Sequence, residues 1–279
     1  SSDLNTIPVP FKVTIRPLAG VAPVVTFTQS GVGEVPGHLI IGAADSGDLD
    51  SLVKTDRFII NGCSDDAFST KSLVIQNRDD AAIADSSLVL VAGDSDNAVI
   101  RNCILLNRSL SNAENGCTAV DFMSRNDGMN NFIPDNATIE NCTITAQGGS
   151  GATGRYGTAV RQSGSGTITQ GLAQTGLVVR DCAINARYAG ILLGMTAGAS
   201  IHDNTIQLNQ LASGTHIRGI WLTSANRSSG WTLDIFNNTI NRMVCVDTGI
   251  TAIDLGGAVY TSAHTPITMN VYNNMICGF

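Results

Sequence analysis

The stretch Ile139-Glu-Asn-Cys-Thr-Ile144 sets an aliphatic residue, an Asn, a Cys and a second aliphatic residue at fixed offsets, and the arrangement recurs along the chain. It returns as Ile100-Arg-Asn-Cys-Ile-Leu105, Val179-Arg-Asp-Cys-Ala-Ile184, Ile201-His-Asp-Asn-Thr-Ile206, Ile235-Phe-Asn-Asn-Thr-Ile240 and Val271-Tyr-Asn-Asn-Met-Ile276, with Ile75-Gln-Asn-Arg78 as a looser relative. Successive motifs begin 39, 40, 22, 34 and 36 residues apart. A unit near 22 residues with insertions in its longer copies is the mark of a repeat architecture.

A second short strand lies between the motifs and is mostly entered through a small residue. Its copies are Leu88-Val-Leu90, Ala119-Val-Asp-Phe122, Ala159-Val-Arg-Gln162, Gly190-Ile-Leu-Leu193, Gly219-Ile-Trp-Leu222 and Ala252-Ile-Asp-Leu255. Strands this short, alternating in polarity and joined by Gly and Asn turns, bury too little alone. Stacked coils bury a continuous core. The expectation is an all-β, single-stranded parallel β-helix of about seven to nine coils. Residues 1–55 would form the lead-in coils and cap, and 56–279 the repeats of one continuous domain. Insertions near 107–117, 125–136, 146–157 and 224–232 would project as loops.

The fourth motif slot is read as the turn, where equivalent residues stack about 4.8 Å apart. Asn tolerates a turn, and its amide bonds the Asn above and below. Asn204, Asn238 and Asn274 would form such a ladder, with Cys103, Cys142 and Cys182 filling the slot in earlier coils. Disulfide Cβ atoms sit about 3.8 Å apart, closer than the stacking repeat, so a column of reduced cysteines is expected.

Composition narrows the function. Hydrophobic residues make up 43% and charged residues 14%, which excludes a disordered polyelectrolyte. With 29 glycines and 23 asparagines spread through 279 residues, long helices are not expected. A net charge of −7, with three lysines among 16 basic residues, argues against a nucleic-acid partner. No apolar run is long enough to span a membrane as a helix. The chain opens without Met or a signal-like segment and reads as a mature or excised piece. Seven widely spaced cysteines without Cys-x-x-Cys fit neither a zinc site nor a compact disulfide framework.

These repeats resemble those of right-handed parallel β-helix proteins of the pectin lyase-like superfamily. The segments Val13-Thr-Ile-Arg-Pro-Leu-Ala-Gly-Val-Ala-Pro23, Asp56-Arg-Phe-Ile-Ile-Asn-Gly-Cys63 and Leu73-Val-Ile-Gln-Asn77 are similar to the β-helical regions of large bacterial cell-surface and secreted proteins. The resemblance implies an extracellular or cell-surface setting. It does not imply one activity, because the superfamily holds lyases, hydrolases, epimerases, adhesins and stalks.

Register places Arg101, Glu140, Arg180, His202, Phe236 and Tyr272 in one outward column, either a structural ladder or a ligand surface with rings stacked on each other or on a sugar. A second column would hold Val89, Asp121, Arg161, Leu192, Trp221 and Asp254, with Asp121 and Arg161 as a surface ion pair. Trp221 beside Leu192 either lies under the 207–216 or 224–232 insertions or serves a carbohydrate or protein partner.

Polysaccharide hydrolysis needs two carboxyl groups flanking the bond. The only adjacent acid pairs, Asp65-Asp66 and Asp79-Asp80, lie in turn-rich segments and read as solvated capping groups. The Asn-Thr-Asp, Gly-His-Gly and Arg-x-Lys signatures of polygalacturonase-like enzymes are missing, and His38, His202, His216 and His264 occur singly. Lyase chemistry would want a basic residue beside a calcium site of clustered acids. Arg161 near Asp121 is the nearest candidate, and one acid does not make that site. No catalytic residue, resident metal or cofactor is assigned.

Five Asn-x-Ser/Thr sequons, at Asn107, Asn136, Asn141, Asn226 and Asn237, follow from the Asn and Thr content of the repeat. The expected function is a non-enzymatic scaffold, stalk, adhesin or filament subunit. The alternatives are a polysaccharide lyase or glycoside hydrolase, and a carbohydrate-binding module using Trp221 or the Phe236 and Tyr272 column. Because the sequence stops at Ile276-Cys-Gly-Phe279, within a few residues of a full motif, the expectation is that this end is covered either by the next coil of a longer chain or by head-to-tail pairing with the Phe11 to Arg16 strand of a second copy.

Overall fold

The computed structural model describes residues 13–27, 37–41, 58–64, 70–77, 87–93, 95–108, 117–126, 131–147, 157–164, 173–194, 196–210, 216–223, 230–246, 249–256 and 267–278. The elements among them are 24 strands, and no described helix is long and apolar enough to cross a membrane.

Each motif's first half contributes to one sheet and its second half to the next. The first sheet stacks β1 (Val13–Ile15), β4 (Phe58–Asn61), β7 (Val99–Arg101), β11 (Thr138–Glu140), β14 (Leu177–Arg180), β17 (Ala199–His202), β20 (Thr232–Phe236) and β23 (Thr268–Tyr272). The second stacks β2 (Val24–Phe27), β5 (Leu73–Asn77), β8 (Cys103–Asn107), β12 (Thr143–Ala146), β15 (Ala183–Ala186), β18 (Thr205–Gln210), β21 (Thr239–Cys245) and β24 (Met275–Cys277). The third stacks β3 (Gly37–Ile41), β6 (Ser87–Ala92), β9 (Thr118–Asn126), β13 (Thr158–Gly164), β16 (Ala189–Leu193), β19 (Ile217–Leu222) and β22 (Ile250–Asp254).

All pairings within these stacks are parallel, and the chain visits the sheets in the order first, second, third, then first again. Each strand therefore pairs with its counterpart one coil away, an arrangement consistent with a parallel β-helix. The strands β1, β2 and β3 of the 1–55 segment are the outermost strands of the same three sheets. The remaining strand, β10 (Asn131–Phe132), turns back antiparallel on β9, so the excursion expected over 125–136 is a hairpin. Its last residues, Asp135 and Asn136, already belong to the next coil. Residues 109–116, 148–156 and 224–229 of the other expected loops lie outside the described residues.

Aliphatic residues recur in register because equivalent inward positions must fill equivalent space. Ile60, Ile100, Ile139, Val179, Ile201 and Ile235 form one inward column, and Leu105, Ile144, Ile184, Ile206 and Ile240 another. All are buried. β-Branched side chains suit this pleated stacking. Ile75 stands in the second column opposite Leu105 and Leu73 opposite Cys103, so the first half of the motif in that coil is Ile60-Asn61-Gly62, with residues 63–72 extra in its corner.

The corner between first and second sheets corrects the expected turn position by one residue. The left-handed residue is the third slot, at φ 56° for Asn102, 49° for Asn141, 55° for Asp181, 56° for Asp203, 55° for Asn237 and 53° for Asn273. Asn and Asp carry this conformation at lower cost than other side-chain-bearing residues. The fourth slot then points inward, which is why Cys103, Cys142, Cys182, Asn204 and Asn238 are buried, and Asn274 in the last coil is half-buried.

A second recurrent corner, from third sheet to first, was not read from the sequence. Asn97, Asn136, Gly176 and Gly198 sit at φ 58°, 54°, 66° and 122°. Asp96 Oδ1 accepts from the Asp135 amide at 3.0 Å, and Asp135 Oδ1 accepts from the Thr175 amide at 2.6 Å. The available signal was Asp-Asn-Ala at 96–98 and again at 135–137, repeated at the 39-residue interval of the Asn-Cys motif. At the entry to the third sheet, small residues are required. A Cβ on Gly190 would fall 2.5 Å from Gly219 O, and one on Gly219 would fall 2.4 Å from Ala252 O.

Candidate functional site

Three columns carry the residues singled out by sequence. Along the inward fourth slot, Asn204 Nδ2 donates to Asn238 Oδ1 at 3.0 Å and Asn238 Nδ2 to Asn274 Oδ1 at 3.0 Å. Oδ1 of Asn204, Asn238 and Asn274 also accepts a backbone amide of the preceding coil, from Cys182 at 3.0 Å, Asn204 at 3.1 Å and Asn238 at 3.0 Å respectively. Each carboxamide thus satisfies a buried backbone donor that the corner leaves without a sheet partner. In the earlier coils an amide ladder runs from Asn141 to Asn102, both in the third slot, and on to Asn61, the cross-strand partner of Arg101, at 2.8 Å per step.

Cys103, Cys142 and Cys182 are free thiols, and their Sγ atoms donate to the carbonyls of Arg101, Glu140 and Arg180 at 3.1, 3.3 and 3.1 Å. Burial pushes the Cys142 thiol far above its ordinary pKa, and that of Cys182 is raised by its contact with Cys142 and by burial. Such thiols stay protonated and unreactive, so the column fills space. Asn107 is fully buried, accepting from Asn77 at 2.8 Å and donating to Thr118 O at 2.7 Å, which leaves no room for a glycan at that sequon.

The outward first-sheet column pairs as Arg101, Glu140, Arg180, His202, Phe236 and Tyr272 in register. Glu140 lies between two guanidiniums, 3.7 Å from Arg101 and hydrogen-bonded to Arg180. Exposed pairs of this kind contribute at most about 1 kcal/mol. The rings stack face to face, His202 on Phe236 at 4.6 Å and Phe236 on Tyr272 at 5.1 Å, with planes within 5° and 2°. Both faces of Phe236 are therefore covered, while Tyr272, at the end of the stack, is 49% exposed. His202 Nδ1 lies 2.7 Å from Asp203 Oδ2, and that hydrogen bond holds the Asp203 carboxyl below the usual range.

In the third-sheet column the structure makes two corrections. Leu90, not Val89, stands opposite Asp121, because Val89 pairs with Val120 on the inward side. Asp121 and Arg161 are not a surface pair, since they are 0% and 5% exposed. Arg161 donates Nε to Oδ1 at 3.2 Å and a terminal nitrogen to Oδ2 at 2.6 Å, while Ser163 and Ser87 hydroxyls add bonds at 2.8 and 3.4 Å. Both carboxylate oxygens are occupied and shielded.

Further along, Leu192 and Trp221 are half-buried neighbours in register. The Trp221 ring is covered by its own coils: the Arg218 guanidinium lies 3.9 Å from its centroid and Tyr188 meets it edge-on at 5.7 Å. Arg218 Nε donates to Asp254 Oδ2 at 2.8 Å. Burial raises the Asp254 pKa, but the Gly256 amide and Arg218 outweigh it and hold that carboxyl below its usual range. Nearby, His216 Nε2 lies 2.7 Å from Thr251 Oγ1, and burial with the Arg218 charge lowers the imidazole pKa. Asp65-Asp66, Asp79-Asp80, His264, Asn226 and the His38 side chain lie outside the described residues.

No family model, curated protein or solved structure matches this chain. The class it defines is therefore that of its own geometry, an all-β protein of stacked parallel strands whose prominent side chains pair from coil to coil.

Proposed function

We propose that the chain is a non-enzymatic structural protein, a right-handed parallel β-helix of about seven to nine coils of the pectin lyase-like kind, serving as a scaffold, stalk, adhesin or filament subunit. Right-handedness follows from the strong chirality of crossovers between parallel strands. The extracellular or bacterial cell-surface setting rests on the sequence resemblance.

One observation supports the non-enzymatic reading above the rest. Arg161 beside Asp121, the pairing nearest to a lyase centre, is a buried ion pair with both carboxylate oxygens engaged and no face turned to a polymer. A general base must reach its proton directly or through one water. The test is incubation of the protein with pectin, alginate and other uronans, with and without calcium, following the ultraviolet absorbance of unsaturated products and the release of reducing ends. No product of either kind is expected, and either kind overturns the proposal. Glycan-array binding abolished by Trp221→Ala would instead favour the carbohydrate-binding module, and concentration-dependent sedimentation would favour the filament subunit over the stalk.

A further inference from the structure

The inward third-sheet column formed by Phe122, Gln162, Leu193 and Leu222 is apolar but for Gln162. Gln162 is 1% exposed, and neither Nε2 nor Oε1 has a hydrogen-bond partner among the described residues. A second carboxamide reaches the same place from the corner leading to the first sheet. Gln174, also 1% exposed, donates Nε2 to Phe122 O at 2.7 Å, Ser124 Oγ at 3.0 Å and Ser163 O at 3.2 Å. Phe122 is the cross-strand partner of Gln162, and Ser163 is the next residue of its strand. Gln174 Oε1 is likewise unpartnered among the described residues.

One corner of the coil thus holds three buried amide atoms whose hydrogen-bonding capacity is unspent, one donor and two acceptors. Folded proteins satisfy nearly all such atoms with protein groups or ordered water, because an unpaired buried amide loses its solvation without replacement. Gln174 Nε2 has two N–H groups facing three oxygens, so both are engaged and it cannot turn to Gln162 without breaking those bonds. Water both donates and accepts, and an internal water typically makes about three hydrogen bonds. We infer that this corner is an internal hydration site, where ordered water donates to Gln162 Oε1 and Gln174 Oε1 and accepts from Gln162 Nε2. The inference does not depend on whether the protein is a scaffold or an enzyme.

A crystal structure at a resolution where single waters are placed tests it directly. Solvent density is expected within about 3 Å of the three amide atoms. A dry corner, or a Gln162 side chain turned to bond a protein group, overturns the inference. In solution, water-oxygen magnetic relaxation dispersion counts long-lived internal waters, and Gln162→Leu, close in volume and without polar atoms, should lower its amplitude. Equal amplitudes for the wild type and a folded Gln162→Leu protein also overturn it. If that variant does not fold, the wild-type density decides alone.

Discussion

Replacing Asn238 by Ala removes the middle of the inward amide ladder. Asn238 is fully buried, accepts the Asn204 amide at 3.1 Å and Asn204 Nδ2 at 3.0 Å through Oδ1, and donates to Asn274 Oδ1 at 3.0 Å and Ile201 O at 2.9 Å. The variant leaves the Asn204 backbone amide without an acceptor, and Asn204 Nδ2 keeps only Val179 O. Two orphaned donors at about 1–3 kcal/mol each give a loss near 4 kcal/mol. Asn241→Ala is the internal comparison, because half-buried Asn241 accepts a single bond, from Gln207 Nε2 at 3.0 Å, for which about 1 kcal/mol is the expected ceiling. Coils of a repeat protein open semi-independently, so a loss confined to one joint is read most directly at that joint. Native-state hydrogen exchange reads the coil itself, and the Thr239 amide, bonded to Asn204 O at 2.7 Å, reports on it. Asn238→Ala should lower its protection about a thousandfold, and Asn241→Ala no more than about fivefold. Equal effects would refute the view that the inward ladder, unlike the outer one, holds the coils together.

Arg161→Leu should destabilise by about 3–5 kcal/mol in urea titration by leaving the Asp121 carboxylate buried and uncompensated, and Arg161→Leu/Asp121→Leu should recover most of the loss. Gly219→Ala forces a Cβ to 2.4 Å from Ala252 O and should cost about 1–3 kcal/mol, whereas Gly256→Ala, whose Cβ meets only Asp254 Oδ1 at 3.1 Å, should melt close to wild type. Cys142 and Cys182 keep their protons when folded at pH values where the unfolded thiols ionise. Their contribution is therefore whole below about pH 8.5 and falls above it by up to about 1.4 kcal/mol per pH unit per thiol. Urea midpoints at rising pH should show this decline, and Cys142→Ala/Cys182→Ala should flatten it. A thiol reagent should modify exposed Cys277 in the native protein and reach Cys103, Cys142 and Cys182 only on unfolding.

The stacking of parallel strands was legible because the motif repeats its aliphatic positions, and equivalent inward positions impose equivalent side chains. The outward column from Arg101 to Tyr272 was legible for the same reason, since one alignment places six residues in register. What failed was finer than the repeat. The αL residue and its inward neighbour are both Asn in Asn237-Asn238, so composition could not say which one turns. Val89 and Leu90 are both aliphatic in a strand buried on both sides, so alternation gave no phase. The depth of the Asp121 and Arg161 pair depends on what covers the outer face of the third sheet, which the motif spacing does not encode. Gln162 looked like any polar residue at the end of a strand, and only its two apolar column neighbours reveal it as interior.

The amide ladders have one gap. They run from Asn61 to Asn141 and from Asn204 to Asn274, and across the coil of Asp181 and Cys182 no carboxamide bonds another among the described residues. Under tension along the stack, such a gap would be the weakest joint. Because Asn204 Oδ1 accepts the Cys182 amide and Asn204 Nδ2 donates to Val179 O, the coil of Cys182 belongs mechanically to the second block. A protein pulled along the stack should therefore part first between that coil and the coil of Asn141, each block keeping its own row of cross-links.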